Sequence, residues 1–168
     1  EVSDIKRTMG KDSRIVLAAN LPKKAAPQHF SKREKVSGSI KLVNIARIAP
    51  EKNLKFALEI LREVKANVAF DFYGPLYAAA YYEECKVLIQ QMPSNIKVTY
   101  KNSIESSKVN EAFQHYHALF MPTLGENFGH IILESLVAGC PVVISDQTPW
   151  HNLQSKHLGF DIALHEKE

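Results

Sequence analysis

Short apolar runs alternate with segments of helical spacing, and this alternation predicts an α/β fold, a Rossmann-like, doubly wound parallel sheet. Residues 118–121 and 142–144 are wholly apolar, as strands buried on both faces require. Leu54, Ala57, Leu58, Leu61 and Val64 recur at the spacing of one helix face. Gly74-Pro75 and Pro122 close strand-like runs, so the chain turns where the strands end.

Along the chain, residues 5–9 suggest a helix end, 10–13 a turn, and 15–19 a strand closed by Asn20-Leu21-Pro22. Residues 23–38 are polar, contain Pro27 and Gly38, show little periodicity, and read as a linker. The compact domain is expected over residues 39–168. Residues 40–46 form its first strand, and Asn53 stands where a helix N-cap belongs, ahead of Leu54. Residues 68–73 form the second strand and 77–91 a helix, on which Tyr77, Tyr81 and Tyr82 read as packing residues rather than a stacking surface. Residues 96–100 form the third strand, followed by the loop 101–104. Ser106 or Ser107 is placed to cap a helix through Val109, Ala112 and Phe113. Residues 145–150 are expected to turn into a short helix, with Trp150 in a packing role, and 160–163 to form the last strand.

The organising stretch is 117–145, which reads as strand, glycine-bearing loop, helix, strand. Gly125 and Gly129 bracket Glu126, Asn127 and Phe128, so the loop can bend sharply and bring peptide N–H groups close to a ligand. The helix that follows is expected over 129–138, stopped by Gly139 and Pro141. Glu134 lies eight residues after Glu126, ~12 Å along a helix, and two carboxylates so spaced can each accept hydrogen bonds from neighbouring hydroxyls of an elongated ligand. On spacing alone, both fit equally well as solvated residues of a loop and a helix. Arg47 and Lys52 lie on the loop after the first strand, where a guanidinium and an ammonium suit a diphosphate leaving group. Taken alone, they also fit as surface residues beside Glu51.

Pro122-Thr123, Glu126, Phe128-Gly129, Glu134-Ser135, Ala138-Gly139 and Pro141-Val142-Val143 together resemble the motif run of family 4 glycosyltransferases, retaining enzymes of the GT-B fold. Ala46-Arg47 and Lys52-Asn53 resemble that family's Gly-Arg and Lys-Gly pairs. The resemblance implies the C-terminal, nucleotide-sugar-binding half of a GT-B fold. It implies that Arg47, Lys52 and Glu126 serve catalysis, with Glu126 and the amides of Asn127, Phe128 and Gly129 meeting the donor sugar. By the same resemblance Glu134 meets the ribose and the Asn102 loop the base. Thr123, Asn127 and Ser135 depart mildly from the family pattern, Asn127 stiffening a position often held by glycine. Residues 1–38 correspond to the tail of an N-terminal acceptor domain and its linker, and 39–168 to the donor domain, shortened at its C-terminus.

Composition sets limits on these readings. At 168 residues and 45% hydrophobic, the chain holds one domain with its own core. Residues 1–35 carry nine Lys/Arg against four Asp/Glu, whereas 36–168 carry twelve against fourteen. A nucleic-acid binder needs a basic face on its folded domain, so nucleic acid is not expected as a partner. The basic terminal segment suits an anionic membrane surface or a solvated connector, and its interspersed charges favour the connector. No apolar stretch approaches the ~20 residues of a membrane span, and no signal-peptide core opens the chain. A cytoplasmic location is therefore expected, with peripheral contact at the inner face of the membrane as its variant. Cys85 and Cys140 fit no paired motif and are expected as reduced, buried thiols. His115 and His117 lack the carboxylates or thiols that would complete a metal site, so no metal and no resident cofactor are expected. Because the chain opens on Glu1 rather than Met, it is expected to be a piece of a longer protein.

The favoured reading is the donor-binding domain of a hexosyl-type glycosyltransferase in polysaccharide biosynthesis. Its partners are a nucleotide sugar, a missing N-terminal acceptor domain, and a glycan, lipid-linked or other acceptor. The alternatives are a nucleotide-sugar epimerase or a phosphorylase on the same fold, or a non-catalytic nucleotide-binding module. No lysine suited to the pyridoxal phosphate of a phosphorylase is identified. Hydrolysis by the glutamate pair is not expected either, because it needs two carboxyls ~5–9 Å apart across one bond.

Overall fold

Six mostly apolar segments pair into one parallel sheet, and the order of its strands determines where the chain can hold a ligand. The computed structural model describes residues 2–9, 14, 16 and 33–164. Helix α1 spans Val2–Met9; the turn and strand expected over residues 10–19, and most of the linker, fall outside the described residues. The remaining elements are β1 (Ser39–Ile45), α2 (Leu54–Arg62), β2 (Asn67–Tyr73), α3 (Ala79–Gln90), β3 (Ile96–Tyr100), α4 (Val109–Phe113), β4 (Ala118–Met121), α5 (His130–Val137), β5 (Val142–Ser145) and β6 (Gly159–Ile162). The sheet runs β3-β2-β1-β4-β5-β6, with every pairing parallel. The chain winds outward from β1 to β3, returns to lay β4 beside β1, and continues to β6. β1 and β4 therefore flank the switch point at which such sheets open a crevice.

Alternation along the strands divides the core in two. Leu42, Phe70, Phe72 and Phe120 pack with Leu54, Leu58 and Leu61 of α2 and Cys85 of α3. On the opposite face, Val43, Leu119, Met121, Val142 and Ile144 pack with Val109 and Phe113 of α4 and Ile132 of α5. Burying side chains of this size stabilises the fold by about 1.5–3 kcal/mol each. The ladder between β1 and β4 covers only Leu42 with Ala118 and Val43 with Leu119. One residue on, buried Asn44 donates its side-chain amide to the Phe120 carbonyl at 2.9 Å, satisfying that acceptor where the ladder has ended. Arg33 ties the last part of the polar 23–38 segment to the domain, donating to the carbonyls of Phe113, Gln114, Ala138 and Gly139. One guanidinium thus serves the orphan carbonyls at the ends of both α4 and α5.

Four local expectations are corrected, the first being that neither Ser106 nor Ser107 caps a helix: both lie in a 3-10 turn over Ser106–Lys108, and Lys108 is the N-cap residue of α4. Asn53 does not cap α2 with its side chain; it takes a left-handed backbone at φ 55°, because a 3-10 turn over Pro50–Lys52 runs directly into the helix. Its amide instead donates to the Pro122 carbonyl at 2.9 Å. The helix expected from residue 77 starts at Ala79, since the Tyr77 and Ala78 N–H groups both donate to the Ile48 carbonyl. Among the described residues no helix follows Trp150: residues 153–157 form turns, with Asn152 and His157 at left-handed φ values that a right-handed helix excludes. Cys85 and Cys140 are buried free thiols, as expected, and burial pushes the Cys85 thiol up to about 11.

Candidate functional site

At the C-terminal ends of β1 and β4 a cleft of about 640 Å³ opens, lined by Ile45 to Arg47, Glu51, Lys52, Met121 and the run from Gly125 to Ile131. The structure therefore brings Arg47, Lys52, Glu126, Asn127, Phe128 and Gly129 together. Glu134 and Asn102 are not among its lining residues. Glu134 is exposed on α5, three and four residues beyond Ile131 and His130, and so on the same helix face one turn further along. Asn102 follows β3, two strands from β1. It adopts the left-handed backbone that asparagine tolerates, at φ 59°, and its carbonyl accepts the Gly74 N–H at 3.0 Å.

Two ion pairs set the charge pattern. Arg47 meets Glu51 at 2.7 Å, with both side chains nearly half exposed, and its guanidinium carbon lies 5.4 Å from the centre of the Tyr77 ring. A main-chain hydrogen bond, and then the Arg47 guanidinium, hold the Glu51 carboxyl below the usual carboxylate range. Tyr77 is 74% exposed, so the packing role expected of it is not observed. Tyr81 and Tyr82 do pack, the first accepting the Lys55 N–H and the second meeting Phe72 and Tyr100. Across the cleft, Lys52 Nζ lies 2.5 Å from Glu126 Oε1, with side-chain exposures of only 16% and 15%. The loop after β1 and the loop after β4 are thus joined by a partly buried ion pair.

The loop bearing Glu126 is braced from both sides by residues that sequence reasoning did not single out for this. Thr123, fully buried, donates its hydroxyl to the Glu51 carbonyl at 3.0 Å, and the Leu124 N–H donates to the same oxygen at 2.9 Å. From the end of β5 the Ser145 hydroxyl donates to the Thr123 carbonyl, and from the loop that follows, the Gln147 carbonyl accepts the Glu126 N–H at 3.2 Å and the Trp150 indole donates to the Phe128 carbonyl at 2.6 Å. A polar residue at the end of an apolar run, such as Thr123 or Ser145, is the signal that could have identified the braces, because a buried hydroxyl must find a partner. Gly129, at φ 76°, is tied to its residue type as well: a Cβ there would lie 2.7 Å from Ile132 Cδ1.

Among the described residues no cluster of three His, Cys, Asp or Glu could hold a metal ion, and no helix is long and apolar enough to cross a membrane. His117 sits at the opposite end of β4, where Nδ1 accepts the Lys41 N–H and Nε2 lies 3.0 Å from the Glu34 carbonyl. Both ring nitrogens therefore have structural partners.

Comparison with known proteins agrees with this architecture. Sulfoquinovosyl transferase SQD2 of Arabidopsis thaliana is 25% identical over 103 residues, which are 61% of this chain and 18% of that protein. Among solved structures, a mutant of S. aureus TarM in complex with fondaparinux, alpha-GlcNAc-glycerol and UDP superposes with a TM-score of 0.67 at 17% identity, covering 98% of this chain and 32% of that one. The catalytic domain of cholesterol-alpha-glucosyltransferase from Helicobacter pylori gives 0.60 at 15% identity, covering 73% of this chain and 77% of that one. These structural likenesses are of fold, that of GT-B glycosyltransferases. The family model described as glycosyl transferases group 1 matches residues 26–155, and the chain belongs to that family.

Proposed function

We propose that the cleft binds a nucleoside-diphosphate sugar, and that the chain is the donor-binding part of a retaining, family 4 hexosyltransferase. The observation that carries this reading is the convergence of Arg47, Lys52 and Glu126, from loops 74 residues apart, on one cleft at the sheet's switch point. Arg47 and Lys52 neutralise the diphosphate, whose negative charge grows as it leaves. Glu126 and the N–H groups of the loop through Gly129 orient the sugar, and Glu134, one turn along α5, accepts ribose hydroxyls. The Asn102 loop borders the base. TarM, in complex with UDP, and Anabaena Alr3699/HepE, in complex with UDP-glucose, share the fold and support this choice of ligand.

The acceptor is held by a separate N-terminal domain, to which residues 1–38 connect, at the cytoplasmic face of the membrane. In such a two-part enzyme the closed cleft completes the reacting constellation and excludes water. The 168-residue chain on its own then binds donor near the millimolar range, ~4 kcal/mol of free energy, and transfers nothing. Isothermal titration against UDP, GDP, ADP and their glucose conjugates tests the reading. Binding of at least one diphosphate, and tighter than its parent nucleoside, is the expected result; binding of none refutes it, and turnover by this chain alone refutes the two-part division.

A further inference from the structure

The chain's one tryptophan does not line the cleft, yet it grips the loop that does. Half-buried Trp150 donates its indole N–H to the Phe128 carbonyl at 2.6 Å and meets the Phe128 ring edge-on, with centroids 6.0 Å apart. The indole is itself carried on a fixed turn, because the Trp150 N–H donates to the hydroxyl of Thr148 at 3.2 Å, a residue 4% exposed.

In a trans peptide the C=O and the following N–H point in opposite directions, and no peptide bond among the described residues is cis. Holding the Phe128 carbonyl on the indole therefore turns the Gly129 N–H away from it. The backbone alone does not fix this plane, since glycine accepts φ of either sign and the Phe128–Gly129 peptide can rotate at little cost.

We propose that Trp150 is a positioning residue: by holding the Phe128 carbonyl, its indole N–H sets the peptide plane that aims the Gly129 N–H into the cleft, at the sugar portion of the donor. The proposal rests on the nucleotide-sugar reading for its ligand, but its structural part can be measured without one. A positioned N–H of this kind acts on the sugar and leaves the diphosphate contacts of Arg47 and Lys52 untouched. Its loss therefore separates two affinities that a general folding defect lowers together.

Two variants remove the N–H while keeping an aromatic ring: Trp150→Phe, and the wild-type sequence with its single tryptophan replaced by the sulfur isostere benzothienylalanine, which preserves ring size if phenylalanine underfills the site. The 15N order parameter of the Gly129 amide is expected to fall in both, with the melting temperature of the isostere close to wild type. Affinity for the glucose conjugate of UDP, GDP or ADP is expected to fall about ten-fold, ~1.4 kcal/mol, while affinity for the parent diphosphate changes by less than about two-fold. An unchanged order parameter at Gly129 overturns the proposal whatever the chain binds. Equal losses for conjugate and diphosphate overturn it too, and leave Trp150 a packing residue. If wild type binds no nucleotide at all, the donor reading of the cleft fails separately, and the relaxation measurement still decides whether Trp150 holds the loop.

Discussion

Replacing Glu126 by glutamine should weaken the fold and strengthen diphosphate binding at the same time. Lys52 Nζ and Glu126 Oε1 are 2.5 Å apart, with exposures of 16% and 15%. At an effective dielectric constant of ~20 their gross attraction is about 7 kcal/mol, most of it offset by the desolvation of both groups. Removing one partner of an exposed pair costs ~0.2–1 kcal/mol and of a fully buried pair ~3–5 kcal/mol. This pair lies between, and glutamine still accepts a hydrogen bond, so a loss of about 1–2 kcal/mol is expected, a fall of a few degrees in melting temperature.

Binding moves the other way. In the free protein the Lys52 ammonium is already committed to Glu126, and an incoming diphosphate has to draw it off. In the Glu126→Gln variant the full ammonium charge is available, so affinity for a nucleoside diphosphate should rise about three- to ten-fold, ~0.7–1.4 kcal/mol. Lys52→Met should lower that affinity about ten-fold, ~1.4 kcal/mol. The nucleotide sugar should not share the gain from Glu126→Gln, because the carboxylate proposed to accept from its hydroxyls is gone. Calorimetry with a diphosphate and its sugar conjugate, alongside thermal melts, measures all four effects. If Glu126→Gln and Lys52→Met weaken the diphosphate equally, the two residues act as one binding unit and the competition argument is wrong.

Arg47→Ala should reduce affinity for a nucleoside diphosphate far more than for the bare nucleoside, since only the former carries the charge that the guanidinium meets; equal losses in calorimetry would point to a folding defect instead. Glu134→Ala should cost ~1.5–3 kcal/mol of nucleotide affinity through the lost charged acceptor and should discriminate poorly between ribose and deoxyribose forms; unchanged affinity removes the ribose role. Acid should loosen the turn after β5. Asp161 accepts the N–H groups of Leu153 and Asn152 at 2.9 and 3.0 Å, and the Leu153 bond leads the causes that hold its carboxyl below the usual range. A carboxyl depressed in the folded state stabilises above its unfolded value near ~3.9 and loses that contribution as pH falls through the folded value. Urea melts should therefore show Asp161→Asn losing less stability than wild type between pH 5 and pH 2.

The fold was legible because each of its signals is local. The unbroken apolar run of β4, the helical spacing from Leu54 to Leu61 and the breaks at Gly74-Pro75 and Pro122 each specify an element without reference to distant residues. Convergence of Arg47, Lys52 and Glu126 was also legible, since both loops leave the C-terminal ends of strands and a doubly wound order makes those strands neighbours. The charge pattern was less so. Spacing allows Arg47 either a ligand or Glu51 as its partner, and the structure pairs it with Glu51; nothing in the spacing indicates that Lys52 turns to a carboxylate 74 positions away. Asn53 misleads for a related reason, because its residue type favours both a cap and a left-handed turn, and the 3-10 turn before it selects the second.

Sequence marks Thr123 and Ser145 as polar ends of apolar runs but does not name the partners of the bracing, and this bracing explains why the Lys52–Glu126 pair can yield without the loops moving. Contacts from Thr123 to Glu51, from Ser145 to Thr123, from Asn53 to Pro122 and from Trp150 to Phe128 join segments that are far apart in the chain but carried on adjacent strands. All four end on main-chain carbonyls, so they fix backbone and leave the facing side chains free to exchange partners. Lys52 and Glu126 hold each other through flexible stems, and among the described residues neither side chain makes a second hydrogen bond or ion pair. A charged ligand entering between them can therefore replace one charged partner by another without moving the loops, which is the property a site needs if binding energy is to be kept for orienting its ligand rather than reorganising the protein.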